Sequence, residues 1–131
     1  MNTELIYYRA WNETINVMYS PEYLLKNNWG LRSDGMMIVC DEKTGNMELG
    51  NVKPLLCSQK RDKNKSLVFQ GDIVKYRGHI AQVEFGNGGF ILDYGHMSLS
   101  VNLSDCALEN HGEIIGDIYR NPDLLESKND E

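Results

Sequence analysis

Three histidines, His79, His96 and His111, and three cysteines, Cys40, Cys57 and Cys106, are the side chains of this sequence best suited to metal or nucleophile chemistry. No two histidines stand at H-x-x-x-H spacing and no two cysteines form C-x-x-C, so their spacing does not describe a zinc site. Asp93 and His96 fall close together at a turn, where a carboxylate and an imidazole can hold a metal or pass a proton. An exposed turn histidine is the plainer reading of that pair. The run Gly86-Asn87-Gly88-Gly89 has the glycine content of a phosphate cradle, but neither a lysine nor a helix follows it, so a hairpin turn is expected instead. No G-x-S-x-G, Walker loop or dinucleotide fingerprint is present. The expectation is therefore no catalytic residue, no metal and no cofactor.

Residues suited to binding are easier to find. Arg9 and Trp11 share one face of an expected first strand, with Ala10 on the other. A guanidinium beside an indole can stack a base or another planar ligand. The same pair also fits a core tryptophan beside an arginine held by a carboxylate such as Asp72 or Asp117. Lys60, Arg61, Lys63 and Lys65 make the only local excess of positive charge. A mobile solvated loop is the plain reading of such a run. If it touches nucleic acid instead, Phe69 or Tyr76 should face the same side. Gly71-Asp72-Ile73 and Gly116-Asp117-Ile118 echo one another, and a shared bulge device is expected there in preference to paired catalytic carboxylates.

The elements that must carry these residues are short strands. From Val68 to Tyr94 three apolar segments alternate with glycine-marked turns, which predicts a tight antiparallel meander that curls into a small barrel. Upstream, Leu5 to Trp11 is a strand, and Ile15, Val17 and Tyr19 pair back on it. Ser20-Pro21-Glu22 starts a short helix, with Tyr23, Leu24 and Leu25 as its buried face. Met36 to Cys40 is a strand, Asp41 to Asn46 a hairpin connection, and Ser58 to Ser66 a polar loop. Downstream, Leu99, Val101 and Leu103 alternate as a half-buried strand. Asn110-His111-Gly112 is a turn, and Glu113 to Tyr119 is a strand apolar on both parities, which predicts cover on both faces. Asn121-Pro122-Asp123-Leu124-Leu125 is a capped helical turn, and 126–131 a disordered tail.

At 131 residues with 41% hydrophobic side chains, the chain suits one domain, 1–131, with one core. A net charge of −6 argues against a duplex-DNA binder that works by neutralising phosphates. The opening MNTELIYYRAWNET lacks a basic stretch followed by an apolar one, so no secretory signal is expected, and no apolar run is long enough to span a bilayer. Three reduced, mostly buried thiols in a cytoplasm follow from this.

Three blocks resemble the YopX-like proteins of bacteriophages and prophages. Tyr8-Arg9-Ala10-Trp11-Asn12, with Met18-Tyr19 beyond it, is similar to that family's F-R-A-W-D and later M-Y. Asp62-Lys63-Asn64 followed by Val68-Phe69-Gln70-Gly71-Asp72-Ile73-Val74 is similar to D-K-N-G-K-x-I-Y-E-G-D-I-V. Glu113-Ile114-Ile115-Gly116-Asp117-Ile118-Tyr119, with Asn121-Pro122-Asp123-Leu124-Leu125, is similar to E-V-I-G-N-I-Y-E-N-P-E-L-L. Two departures stand out. Cys57-Ser58-Gln59-Lys60 replaces the family's Y-T-G-L, and Lys65 replaces the glycine after D-K-N. The resemblance implies a mainly β, phage-encoded accessory protein, cytoplasmic in its host, with no established activity and no catalytic residues to carry over.

Together these readings predict a mainly β chain: an antiparallel meander with a small SH3-like or pseudo-barrel core and short helical pieces. The expected function is a non-enzymatic binding or assembly module that self-associates, with a phage or host protein as a further partner and no membrane contact. The alternative is a nucleic-acid-associated factor using the basic loop 60–65, and a third reading is a small metal-dependent enzyme around Asp93 and His96. The candidate interaction residues are Arg9, Trp11, Lys60, Arg61, Lys63, Lys65, Leu124 and Leu125. The two leucines are expected to clasp the core or a neighbouring subunit.

Overall fold

The computed structural model describes residues 8–86, 89–95 and 100–125. The fold is mainly antiparallel β with short helices and a curled half-barrel sheet. The chain clusters into two compact units, Met1–Leu56 and Cys57–Glu131. Among the described residues the buried hydrophobic side chains form two clusters, one within each unit, where a single core was expected.

In the first unit, β1 (Tyr8–Asn12) pairs with β2 (Val17–Tyr19) and with the first half of β6 (Val52–Arg61), all antiparallel. Ile15 lies in the connecting turn and is exposed, so the second strand begins later than its alternation suggested. Helix α1 (Pro21–Lys26) starts where the Ser-Pro-Glu signal placed it: Ser20 Oγ accepts the Tyr23 N–H at 3.2 Å and Pro21 opens the helix. Six residues bury only one side chain of the three expected. Leu24 enters the cluster with Ala10, Met37 and Val52, while Tyr23 and Leu25 stay exposed. A three-stranded sheet follows in the order β3 (Trp29–Leu31), β4 (Met37–Val39), β5 (Met47–Glu48).

In the second unit, the later half of β6 pairs with β7 (Leu67–Phe69). The strand runs on to Arg61, well into the stretch expected as loop. A five-stranded sheet has the order β11-β10-β9-β8-β12. Its centre is the meander β8 (Asp72–Tyr76), β9 (His79–Gly86) and β10 (Gly89–Asp93), as the glycine-marked segments predicted. Gly89 pairs with Gly86, so the strands on either side of the glycine run are antiparallel partners, as the expected hairpin requires.

Val68 and Phe69 belong to a different sheet from the meander. Gly71 has φ +93° and redirects the chain between β7 and β8, and a Cβ there would lie 2.7 Å from Tyr119 Cε2. β11 covers Ser100–Asn102, and Leu103 already begins a 3-10 turn, so the expected three-residue alternation is cut short. Leu99 lies outside the described residues. Helix α2 (Leu108–His111) then occupies the place of an expected turn, and β12 (Gly112–Asp117) returns to pair with β8. Buried Val68, Val74, Ala81, Val83, Leu92, Leu103 and Leu108 form this unit's core.

The two Gly-Asp-Ile echoes turn out to be strand partners: Gly116 opposes Ile73 and Asp117 opposes Asp72. A bulge lies between Ile114 and Gly116, so the parity of β12 shifts there, and Ile114 and Ile115 are both half-buried.

Candidate functional site

Among the described residues three aspartates are buried, and each is tied to the backbone. Asp62, only 2% exposed, accepts the Asn64 and Ser66 N–H groups at 3.0 and 2.9 Å on one oxygen and the Ile114 N–H at 3.0 Å on the other. Asp72 Oδ2 accepts the Phe69 N–H at 2.7 Å. Asp117 accepts the Tyr119 and Arg120 N–H groups and pairs with the Arg120 guanidinium at 2.7 Å. Carboxylates so used fix turns.

Asp62 changes the character of the basic loop. The loop is a turn closed by a buried carboxylate, with the Lys63 N–H bonded to the Gly112 carbonyl at 2.9 Å, and not a free solvated connection. Arg61 Nη1 donates to the Lys65 carbonyl at 2.7 Å, and Lys63 Nζ lies 3.7 Å from Glu113 Oε1. Two of the four cations are thus engaged locally. Both family departures sit in the left-handed region that favours glycine, Gln59 at φ 67° and Lys65 at φ 69°. The stretch keeps the backbone that glycines would adopt, although it lacks them.

Trp11 is buried, 5% exposed, and Arg9 is half-buried. Trp11 therefore offers no open stacking face. Phe69 is buried as well, which leaves Tyr76 as the aromatic that can meet a ligand near the loop. Leu124 and Leu125 are half-buried. Leu124 Cδ1 would lie 2.8 Å from a Cβ on Gly116, and Asn121 Oδ1, which accepts the Asp117 N–H at 3.2 Å, would lie 2.7 Å from it. Asn121 thus caps the end of β12, while the Leu124 N–H closes the turn on the Asn121 carbonyl at 3.1 Å.

His96 lies outside the described residues, so its pairing with Asp93 is not placed. Asp93 accepts the Gly95 N–H at 2.8 Å and meets a residue that sequence reasoning missed, Glu84. Glu84 opposes Ile91 while Asp93 opposes Gln82, which makes Glu84 and Asp93 diagonal neighbours on one face. Burial, then a hydrogen bond to Asp93 and its negative charge, hold the Glu84 carboxyl above its ordinary range. Among the described residues no group of three or more His, Cys, Asp or Glu side chains is placed to hold a metal ion. Cys57 is buried, Cys106 half-buried, and Cys40 exposed against expectation.

Two open clefts border the turn Asn102–Asp105 in the second unit. One, about 550 Å³, is lined by Tyr76, His79, Tyr94, Asn102, Asp105 and Cys106 among others. The Tyr76 hydroxyl accepts the Ala107 N–H at 3.0 Å, and the His79 and Tyr94 rings meet edge-on at 6.3 Å. Burial, and then the neighbouring Asp105, push the Cys106 thiol up, so it is protonated and a poor nucleophile. The other cleft, about 440 Å³, has Lys60, Phe90, Asn102 and Ser104 on its walls.

A third cleft, in the first unit, is lined by Leu25, Trp29, Cys40 and Asn46 among others. Trp29, Val39 and Met47 oppose one another across β3, β4 and β5, so they form one row on one face. Met37 of that face is fully buried, yet the face continues to Met47, which is 58% exposed.

Geometry of this kind defines a class: a small, mainly β protein with open clefts on its surface. The family model described as YopX protein matches residues 7–126, and the chain belongs to that family. The crystal structure of protein EF1440 from Enterococcus faecalis is similar in fold, with a TM-score of 0.63 at 18% identity over 94% of this chain and 99% of that one. Comparison with curated proteins found no match. No helix among the described residues is long and apolar enough to cross a membrane.

Proposed function

We propose that this YopX-family chain is a phage- or prophage-encoded accessory protein, acting in the host cytoplasm as a non-enzymatic binding and assembly module that self-associates. One observation carries the reading: the apolar face of the β3-β4-β5 sheet runs past its own core and ends uncovered. Of the six large hydrophobics exposed among the described residues, five belong to this unit: Ile15, Tyr23, Leu25, Leu31 and Met47. Leu25 is 69% exposed beside Trp29, in whose row Met47 stands.

A second copy fits such a face. Two copies that each carry a net charge of −6 repel through their polar surfaces, so contact is favoured where apolar side chains can meet their own kind, although Asp41 and Glu42 also line the cleft there. The short outer strands β3 and β5 are also open to pairing by another chain.

Light scattering coupled to size exclusion tests this directly. The parent should show a mass that is a multiple of 15.0 kDa, and the pair Leu25→Glu and Met47→Glu should return it to the monomer. A parent that stays monomeric at high concentration refutes self-association.

A further inference from the structure

We infer that the two clefts flanking the turn Asn102–Asp105 form one site for a short single-stranded stretch of nucleic acid, with a base against Tyr76 and Tyr94 and the backbone phosphate beside Lys60. Asn102 lines both clefts, so a ligand resting on it reaches both sides of the turn. The walls are aromatic on each side. Tyr76 and Tyr94 lie in the first cleft, and Phe90 lies in the second, its ring 4.8 Å from the half-exposed Phe85. Successive rings in a concave surface are what unstacked bases require, whereas a duplex keeps its base faces covered.

Charge sets the direction of the strand across the site. Asp105 stands in the Tyr76–Tyr94 cleft, where it repels phosphate but can accept the imino or amino hydrogens of a base edge. Lys60 stands in the other cleft, and the Arg77 guanidinium lies 5.5 Å from the centre of the Tyr76 ring. Of the basic loop, Lys60 alone belongs to this site; Arg61 and Lys63 are engaged elsewhere. The protonated Cys106 donates to the Asn102 carbonyl at 3.4 Å and ties the turn on which the ligand would rest.

Fluorescence anisotropy of the full-length protein with labelled eight-nucleotide dT and dA oligomers at low salt tests the inference, with TMP and AMP as competitors. The oligomers should bind, and the mononucleotides should compete far more weakly. Lys60→Ala should weaken binding and reduce the salt slope by about one, while Lys63→Ala and Lys65→Ala leave both unchanged. Tyr94→Leu, which keeps bulk and removes the ring, should raise Kd at least about fivefold. Its thermal melt is checked alongside, and the exposed Lys60 variant carries the test if the tyrosine variant is unfolded. No binding at low salt, mononucleotides as tight as oligomers, or equal losses at Lys60, Lys63 and Lys65 would each overturn it.

Discussion

Lys65→Gly should stabilise this protein relative to Lys65→Ala, although glycine is the more flexible residue. Lys65 sits at φ 69° in the turn that Asp62 closes. A side chain with a Cβ meets its own carbonyl there, at a cost of about 1–2 kcal/mol relative to glycine. Glycine loses more entropy on folding, which takes back about 0.4–1 kcal/mol. Both hydrogen bonds that Lys65 makes are main-chain: its N–H donates to the Asp62 carbonyl at 2.9 Å, and its carbonyl accepts Arg61 Nη1 at 2.7 Å. Glycine keeps both. The net expectation is a gain of about 0.5–1 kcal/mol of glycine over alanine. Urea unfolding with an unchanged m-value reads it as a shift in midpoint, and comparing glycine with alanine cancels the loss of the lysine charge. An alanine variant as stable as the glycine variant would refute the claim that this loop is strained at Lys65.

The opposite substitution should do harm at Gly116. Gly116→Ala pushes against Asn121 and Leu124 and breaks the bond that caps β12; overpacking and the lost bond together cost about 1–3 kcal/mol in urea unfolding. Leu124→Ala in the same chain should recover part of that loss, and strictly additive effects would show that the two do not touch.

Glu84→Gln tests the raised carboxyl. A folded-state pKa above the ordinary 4.5 means that stability is greatest below that pH and falls as pH rises through the folded value, because ionisation is disfavoured beside Asp93. Glutamine should flatten the decline in a denaturation series run upward from pH 4, and an unchanged slope argues that Glu84 is not responsible.

Local signals were readable from the sequence, and register-dependent ones were not. Ser20-Pro21 specified its helix start because capping is decided within four residues, and Gly86–Gly89 specified its hairpin for the same reason. Leu25 misled, because a six-residue helix has one inward position and its neighbours still look apolar. Helix α2 hid behind Asn110-His111-Gly112, residues that serve a helix end as well as a turn. Of the interaction residues, the Lys60–Lys65 cluster was visible as charge. That Lys60 lines a cleft while Lys63 pairs with Glu113 depends on where β12 returns. The burial of Asp62 follows from the same return, since Ile114 of β12 donates to it. Glu84 and Asp93 are nine residues apart and meet only through the β9–β10 register.

The pairing of the two Gly-Asp-Ile segments has a consequence for synthesis of the chain. β8, β9 and β10 are neighbours in sequence and can form as soon as they are made, but the outer side of β8 waits for β12. Ile73 and Val74, fully buried in the finished protein, border an unpaired edge until Asp117 has been added. Until β12 has emerged and paired, a chain whose meander has formed presents an apolar edge to its neighbours. A fragment that ends before β12 therefore keeps this edge open and is suited to aggregation, whereas a chain that includes Asp117 carries the strand that closes it.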